Sequence, residues 1–186
     1  MDVGNGMMYS VSVIDGLVHQ MGGLSMQFEI KMLPVLTAPD EKCPVGQAVK
    51  TTFGKSAKYY PGGIIHTTPP FYKFFDTNDP LEALRQCYSN SLWKAFSNNT
   101  LDEGNMTRVA VPLLGAGCRG FPVDVASEIA AQQSASWLCG DMNDGEFRKE
   151  SQNQSKHSLT REVVAFGIPD VLVAKTIIKY LDQHLT

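Results

Sequence analysis

The segment Gly115-Ala116-Gly117-Cys118-Arg119-Gly120 limits the fold more than any other part of the chain. It follows a short β-rich run, Val109-Ala110-Val111-Pro112-Leu113-Leu114, and leads through Phe121-Pro122 into a stretch with apolar residues at Val125, Ile129 and Trp137. A strand that is apolar on both sides of its pleat, a glycine bend and a helix together predict a β-loop-α unit, which belongs in a mostly parallel sheet. The glycines allow positive φ and let a ligand approach backbone N–H groups, while the following helix presents partial positive charge at its first turn. A diphosphate can be cradled there without cationic side chains. The same glycines also suit a tight turn that holds no ligand.

The flanking sequence repeats the unit. Gly63-Ile64-Ile65-His66-Thr67 is a second interior strand by composition. After it, Asp79-Pro80-Leu81-Glu82 supplies an N-cap, a first-turn proline and a third-position acid, and Leu81, Leu84, Tyr88, Leu92 and Phe96 then recur at helical spacing. Glu162 to Phe166 predicts a further strand, and Pro169-Asp170 opens a last helix with Val171, Ala174, Ile178, Leu181 and Leu185 on one face. Before Pro61 the pattern predicts a helix from about Ile14 to Leu33 and a short strand near Gln47 to Thr52, while Tyr9 to Ile14 suits either a strand or an irregular loop. Strands alternating with amphipathic helices imply right-handed crossovers and an α/β protein, a three-layer α/β/α sandwich with a mostly parallel sheet covered on both faces. Its ligands are expected beyond the carboxyl ends of the strands.

Length and charge restrict the rest. At 186 residues the chain is expected to form one domain, 1–186, with the polar stretch from about 140 to 161 as a surface insertion. A formal charge of -3 without a Lys/Arg block argues against nonspecific nucleic-acid binding. The apolar runs fall far short of the roughly 20 residues that cross a bilayer, and no basic leader precedes one, so neither membrane insertion nor targeting is expected. Cys43, Cys87, Cys118 and Cys139 are too scattered for a zinc motif or a small disulfide framework. Reduced thiols in the cytoplasm or nucleus follow, with no metal and no cofactor.

The glycine loop fits G-x-G-x-x-G, yet a dinucleotide-binding Rossmann fold needs a ribose-binding acid at the end of a strand roughly 20 residues further on. The chain has the polar stretch there, with Asp141 in it, so that reading is the weaker one. Val111 to Pro122 instead resembles the second ligand loop of macro domains. Cys43-Pro44-Val45-Gly46-Gln47-Ala48, Ile64-Ile65-His66-Thr67, Leu84 to Leu92 and Ile14-Asp15-Gly16-Leu17-Val18-His19 resemble further pieces of that family in the same order. The resemblance runs from about Gly4 to Leu185. Relative to the family pattern the chain is short at its N-terminus, and Ser10-Val11-Ser12-Val13 stands where active relatives carry glycines. β-branched residues there resist positive φ and predict a stiffer first ligand loop.

What the resemblance implies is a pocket for ADP-ribose or an ADP-ribosylated protein and, in many members, hydrolysis of ADP-ribose esters. A non-catalytic reader or an interaction domain remains the alternative. By resemblance, Asn5 falls on the asparagine that hydrogen-bonds the distal ribose, and Asp15 on the acid that orients substrate or water near the anomeric carbon. The diphosphate would lie against Gly115, Ala116, Gly117, Cys118, Arg119 and Gly120, with Phe121 next to the loop as a further ligand-binding residue. Phe166 with Ile168 would form an apolar wall for the base, core packing being the ordinary role of both. An amide both donates to and accepts from hydroxyls, and a carboxylate polarises water, so these residue types suit the chemistry. Ordinary roles stand beside each: a turn asparagine at Asn5, a first-turn helix acid at Asp15, a packing or capping histidine at His19, a core histidine at His66 and a small loop packer at Cys118.

Overall fold

The computed structural model of the protein describes residues 14–37, 40–73, 77–96, 108–140 and 162–186. Helix α1 (Ile14–Met32) leads to strand β1 (Ala48–Thr51), a 3-10 turn (Gly54–Ser56) and β2 (Ile64–Thr67). Helix α2 (Pro80–Phe96), β3 (Arg108–Val111), α3 (Val123–Cys139), β4 (Val163–Phe166) and α4 (Val171–Leu185) complete the order. The polar stretch from 141 to 161 and the first thirteen residues, Asn5 among them, lie outside the described residues.

Local chemistry accounts for the helix ends. The Asp79 carboxylate accepts the Leu81 and Glu82 N–H groups at 3.1 and 3.0 Å, which caps α2 where the sequence pattern predicts. Asp170 caps α4 in the same manner, through Leu172 and Val173 at 2.8 and 3.2 Å. Helix α1 covers the expected span but is broken at Gly23 (φ 66°, ψ -163°). The 3-10 turn fills the notch: Ser56 Oγ donates to the Met21 carbonyl at 2.8 Å, and a Cβ on Gly54 would stand 2.2 Å from the Gly22 carbonyl oxygen. Only glycine permits that approach.

Among the described residues, four strands form two ladders. β1 and β2 pair antiparallel, with Val49 opposite His66, and β3 and β4 pair parallel, with Val111 opposite Phe166. Both ladders lean on α2. Ile65 of β2 joins Val109 and Val164 of the other ladder against Leu92, Ala95 and Phe96. Nearer the amino end of α2, Leu84, Cys87 and Tyr88 meet Leu114, Phe121, Ala126, Ile129 and Ala130. Burying each large aliphatic side chain there contributes about 1.5–3 kcal/mol.

The β1–β2 half has three layers, since Ile65 faces α2 while its neighbour His66 meets His19 of α1 on the opposite side. In the β3–β4 half the two faces of the strands differ in exposure among the described residues. Val109, Val111, Val164 and Phe166 pack inward, whereas Arg108, Ala110, Val163 and Ala165 are exposed. Uniformly apolar composition cannot distinguish a strand buried on both faces from one buried on a single face. Among the described residues, no helix is long and apolar enough to cross a membrane.

Candidate functional site

The glycine loop is shaped by two of its own hydrogen bonds and braced from outside. Gly120 N–H donates to the Gly117 carbonyl at 3.0 Å and Phe121 N–H to the Gly115 carbonyl at 3.1 Å, which folds the segment back on itself. Gly115 holds φ 84°, and a Cβ on it would stand 2.9 Å from the Phe121 ring, so the first glycine is required by conformation and space together. The Leu114 N–H donates to the Tyr88 hydroxyl at 2.9 Å, fixing the strand exit to α2. Burial of that phenol raises its pKa, so it stays neutral. On the outer side the Arg119 carbonyl accepts Tyr72 N–H at 2.9 Å, and the Arg119 guanidinium lies 4.3 Å from the centre of the Phe71 ring.

These contacts leave Ala116, Gly117 and Cys118 without an acceptor for their N–H groups among the described residues. Gly117 and Cys118 are exposed, and a Cβ on Gly117 would meet nothing within 4 Å. Helix α3 begins two residues past the loop, and no side chain caps its first turn. Successive free amides beside an uncapped helix end form a concavity that attracts an anion. Cys118, expected to pack within the loop, instead faces solvent. Phe121 sits in the core against Tyr72, ring centres 5.0 Å apart, so it anchors the loop from below. Phe166 ends β4 beside the base of the loop, partly buried against the same cluster, and Gly167 N–H donates to the Val111 carbonyl at 2.9 Å.

A second group of polar side chains belongs to the β1–β2 half. Asp15 lies in the first turn of α1, where the helix dipole favours a carboxylate, and its Oδ1 is 3.5 Å from His19 Nε2 one turn later. The His19 ring is 6.4 Å from His66, whose Nε2 shares a 2.8 Å hydrogen bond with the Thr51 hydroxyl. His66 Nδ1 has no partner among the described residues. Burial pushes the His66 pKa down to about 3, with His19 adding in the same direction. Desolvation also lowers His19, against the opposing pull of Asp15. Both imidazoles are thus held neutral near pH 7.

The structure gathers Gly115 to Phe121 and Phe166 at one end of the β3–β4 ladder and sets Asp15 with the histidines on the other half. Sequence reasoning missed Tyr88 and Thr51 as supporting residues. A hydroxyl-bearing tyrosine in a helical stripe otherwise made of leucine and phenylalanine is a signal for the first; nothing local marks the second.

A family model described as Macro domain matches residues 4–130. A macro domain-containing protein of Caldanaerobacter subterraneus is 34% identical over 128 residues, covering 68% of this chain and 65% of that protein. An O-acetyl-ADP-ribose deacetylase of Citrobacter koseri is 29% identical over 126 residues, covering 67% of this chain and 63% of that protein. The chain therefore spans somewhat less than two thirds of the length of these curated relatives. Among solved structures, an Oceanobacillus iheyensis macrodomain mutant with ADPR superposes at a TM-score of 0.65 with 18% identity, covering 98% of this chain and 83% of that one. A Trypanosoma brucei macrodomain in complex with ADP gives 0.60 with 17% identity, covering 93% and 58%.

Proposed function

Because the chain belongs to the macro domain family, we propose that it binds ADP-ribose, or the ADP-ribosyl group of a modified protein, with the diphosphate against the glycine loop. The observation that carries this reading is the set of unengaged N–H groups at Ala116, Gly117 and Cys118 just past the end of a strand, where Gly117 and Cys118 are exposed and a Cβ on Gly117 would meet nothing within 4 Å. Hydrogen bonds to charged acceptors are worth about 1.5–3 kcal/mol each, so a few amides hold a diphosphate without a cation. Gly115 and Gly120 set the bend, Arg119 braces it through Tyr72 and Phe71, and Phe121 fixes it to the core. Phe166 supplies an apolar wall. The net charge of -3 also supports a discrete nucleotide rather than nucleic acid as the partner.

For ester hydrolysis, Asn5 and Asp15 are the catalytic residues of this proposal: the amide orients the distal ribose, and the carboxylate polarises a water near the anomeric carbon. A neutral His19 beside Asp15 keeps that carboxylate from being neutralised by an imidazolium. A second reading, a reader without turnover, is favoured by Ser10-Val11-Ser12-Val13, which brings side chains where active relatives have glycine backbone. We place both activities in one domain, 1–186, and Cys43, Cys87, Cys118 and Cys139, which form no disulfide with one another, support a cytoplasmic or nuclear setting.

Calorimetric titration with ADP-ribose tests the binding, and absence of heat and of any thermal shift rejects it. Release of label from an ADP-ribosylated protein separates hydrolase from reader. Asn5→Ala and Asp15→Ala abolish release if the assigned roles hold; unchanged turnover in both removes those assignments.

A further inference from the structure

Charge is spread unevenly along the chain. Between Glu41 and Asp76 there is no acid, and the charged residues there are Lys42, Lys50, Lys55, Lys58 and Lys73, in a protein whose formal charge is -3. Two of these lysines stand with two tyrosines on the segment that holds the 3-10 turn. Lys55, Lys58, Tyr59 and Tyr60 are all exposed, the tyrosines by 70% and 51%. The segment is held in shape by its own turns: the Ala57 N–H donates to the Gly54 carbonyl at 3.0 Å, and the Tyr59 and Tyr60 N–H groups to the Ser56 carbonyl at 3.0 and 3.2 Å. The Tyr60 ring is anchored 5.4 Å from the ring of the buried Phe53. The Lys58 ammonium lies 4.7 Å from the centre of the Tyr59 ring, and the stem of Lys55 lies over Gly23. On α1, Glu29 is already engaged, accepting both the N–H and the hydroxyl of Thr52. Among the described residues no carboxylate forms an ion pair with Lys55 or Lys58.

The position of this surface ties it to Asp15. Ser56 Oγ donates to the Met21 carbonyl at 2.8 Å and Gly54 abuts the Gly22 carbonyl, so the turn sits on the part of α1 that precedes the break at Gly23. Asp15, His19 and Gly22 follow at steps of four and three along that unbroken part, which puts them on one side of the helix. At 1.5 Å per residue, Asp15 and Gly22 are about 10 Å apart along the axis. An extended peptide covers that span in about three residues. An ADP-ribosyl ester on a protein is attached through a carboxylate side chain, so the acceptor segment brings at least one acid to the site. Ammonium groups beside exposed phenol hydroxyls suit further acids in that segment, the first by charge and the second by hydrogen bonding. Nucleic acid is the poorer fit, since the Lys58 ammonium covers the Tyr59 ring on which a base would stack and Tyr60 is packed on Phe53.

We propose, on the strength of the ADP-ribose reading above, that Lys55, Lys58 and Tyr59 form a docking surface for the acidic segment of an ADP-ribosylated protein, gripping the residues that flank the modified carboxylate. Calorimetry of the full chain uses free ADP-ribose and two peptides that carry ADP-ribosyl through a hydrolysis-resistant linkage, one flanked by glutamates and the other by glutamines. The glutamate peptide is expected to bind about three- to tenfold more tightly than the glutamine peptide at low ionic strength, as a few exposed ion pairs allow, and the margin shrinks as salt is added. Lys55→Gln and Lys58→Glu together remove the margin and leave the affinity for free ADP-ribose unchanged; the glutamine keeps most of the stem over Gly23, and thermal melts establish that the variant is folded. Equal affinity for the two peptides in a wild-type chain that binds ADP-ribose overturns the docking surface and leaves the pocket reading intact. A chain that binds none of the three ligands loses both. A margin that survives the double substitution in folded protein also overturns it. A single-stranded oligonucleotide that binds the wild type more tightly than the glutamate peptide, and loses that affinity in the double variant, overturns it in favour of a nucleic-acid surface.

Discussion

Substituting Gly117 with valine separates the binding role of the glycine loop from its folding role. At Gly117 the backbone φ is not positive, and a Cβ meets nothing within 4 Å, so the fold accommodates a side chain at the cost of an ordinary surface change, within about 0.5 kcal/mol. The added methyl groups stand in front of the amides of Ala116, Gly117 and Cys118, where the proposed diphosphate lies. Losing one charge-assisted hydrogen bond costs about 1.5–3 kcal/mol, which is roughly a 10- to 150-fold weaker Kd for ADP-ribose. Gly115→Ala is the counterpart in the same loop. There the φ of 84° and the 2.9 Å approach to Phe121 make any Cβ strained. About 1–2 kcal/mol of backbone cost lowers Tm by roughly 2–8 °C in a protein of this size. Calorimetry with ADP-ribose and differential scanning fluorimetry on both variants give the four numbers required. A Gly117→Val protein with wild-type affinity and wild-type Tm would falsify the placement of the diphosphate. Equal losses of Tm in the two variants would show that the loop is packed where the structure leaves it open.

Two other outcomes follow from buried polar groups. The folded-state pKa of His66 lies near 3, below the ordinary 6.5, so the unfolded chain takes up a proton that the native one refuses as pH falls below about 6.5. That contribution to stability is intact above this pH and declines by about 1.4 kcal/mol per pH unit toward pH 3; denaturant melts between pH 7.5 and 5 are expected to show the slope, and its persistence in His66→Gln would refute the assignment. Tyr88→Phe removes the acceptor of the buried Leu114 N–H and is expected to cost about 1–3 kcal/mol in chemical denaturation, with faster amide exchange at Leu114. Unchanged exchange there would mean that another group supports the strand exit.

The features legible in the sequence are those encoded within a few neighbouring residues. Asp79-Pro80-Leu81-Glu82 states the start of α2 because a capping carboxylate reaches amides only two and three positions away. Gly115 could be read as a turn residue for the same reason. The break at Gly23 was not legible, since Met21-Gly22-Gly23 continues a helix in isolation and is interrupted only by the turn that carries Gly54 and Ser56. Pairing between distant strands was also hidden. Nothing near Thr51 announces that its hydroxyl meets His66, fifteen positions away, because that contact exists only once β1 and β2 adopt their register. The outward exposure of Val163 and Ala165 depends likewise on what packs on the ladder, which composition does not record.

The reliance of both ladders on one helix has a consequence for how such a sequence can drift. Leu92, Ala95 and Phe96 are shared footing for Ile65 on one side and for Val109 and Val164 on the other. A change of volume at any of the three tilts both pairs of strands at once, and with them the acid-bearing helix and the glycine bend that the ladders carry at their ends. Repair in one half alone cannot restore the other, so substitutions tolerated on this short stretch of α2 should arrive in matched sets that span the two halves of the molecule.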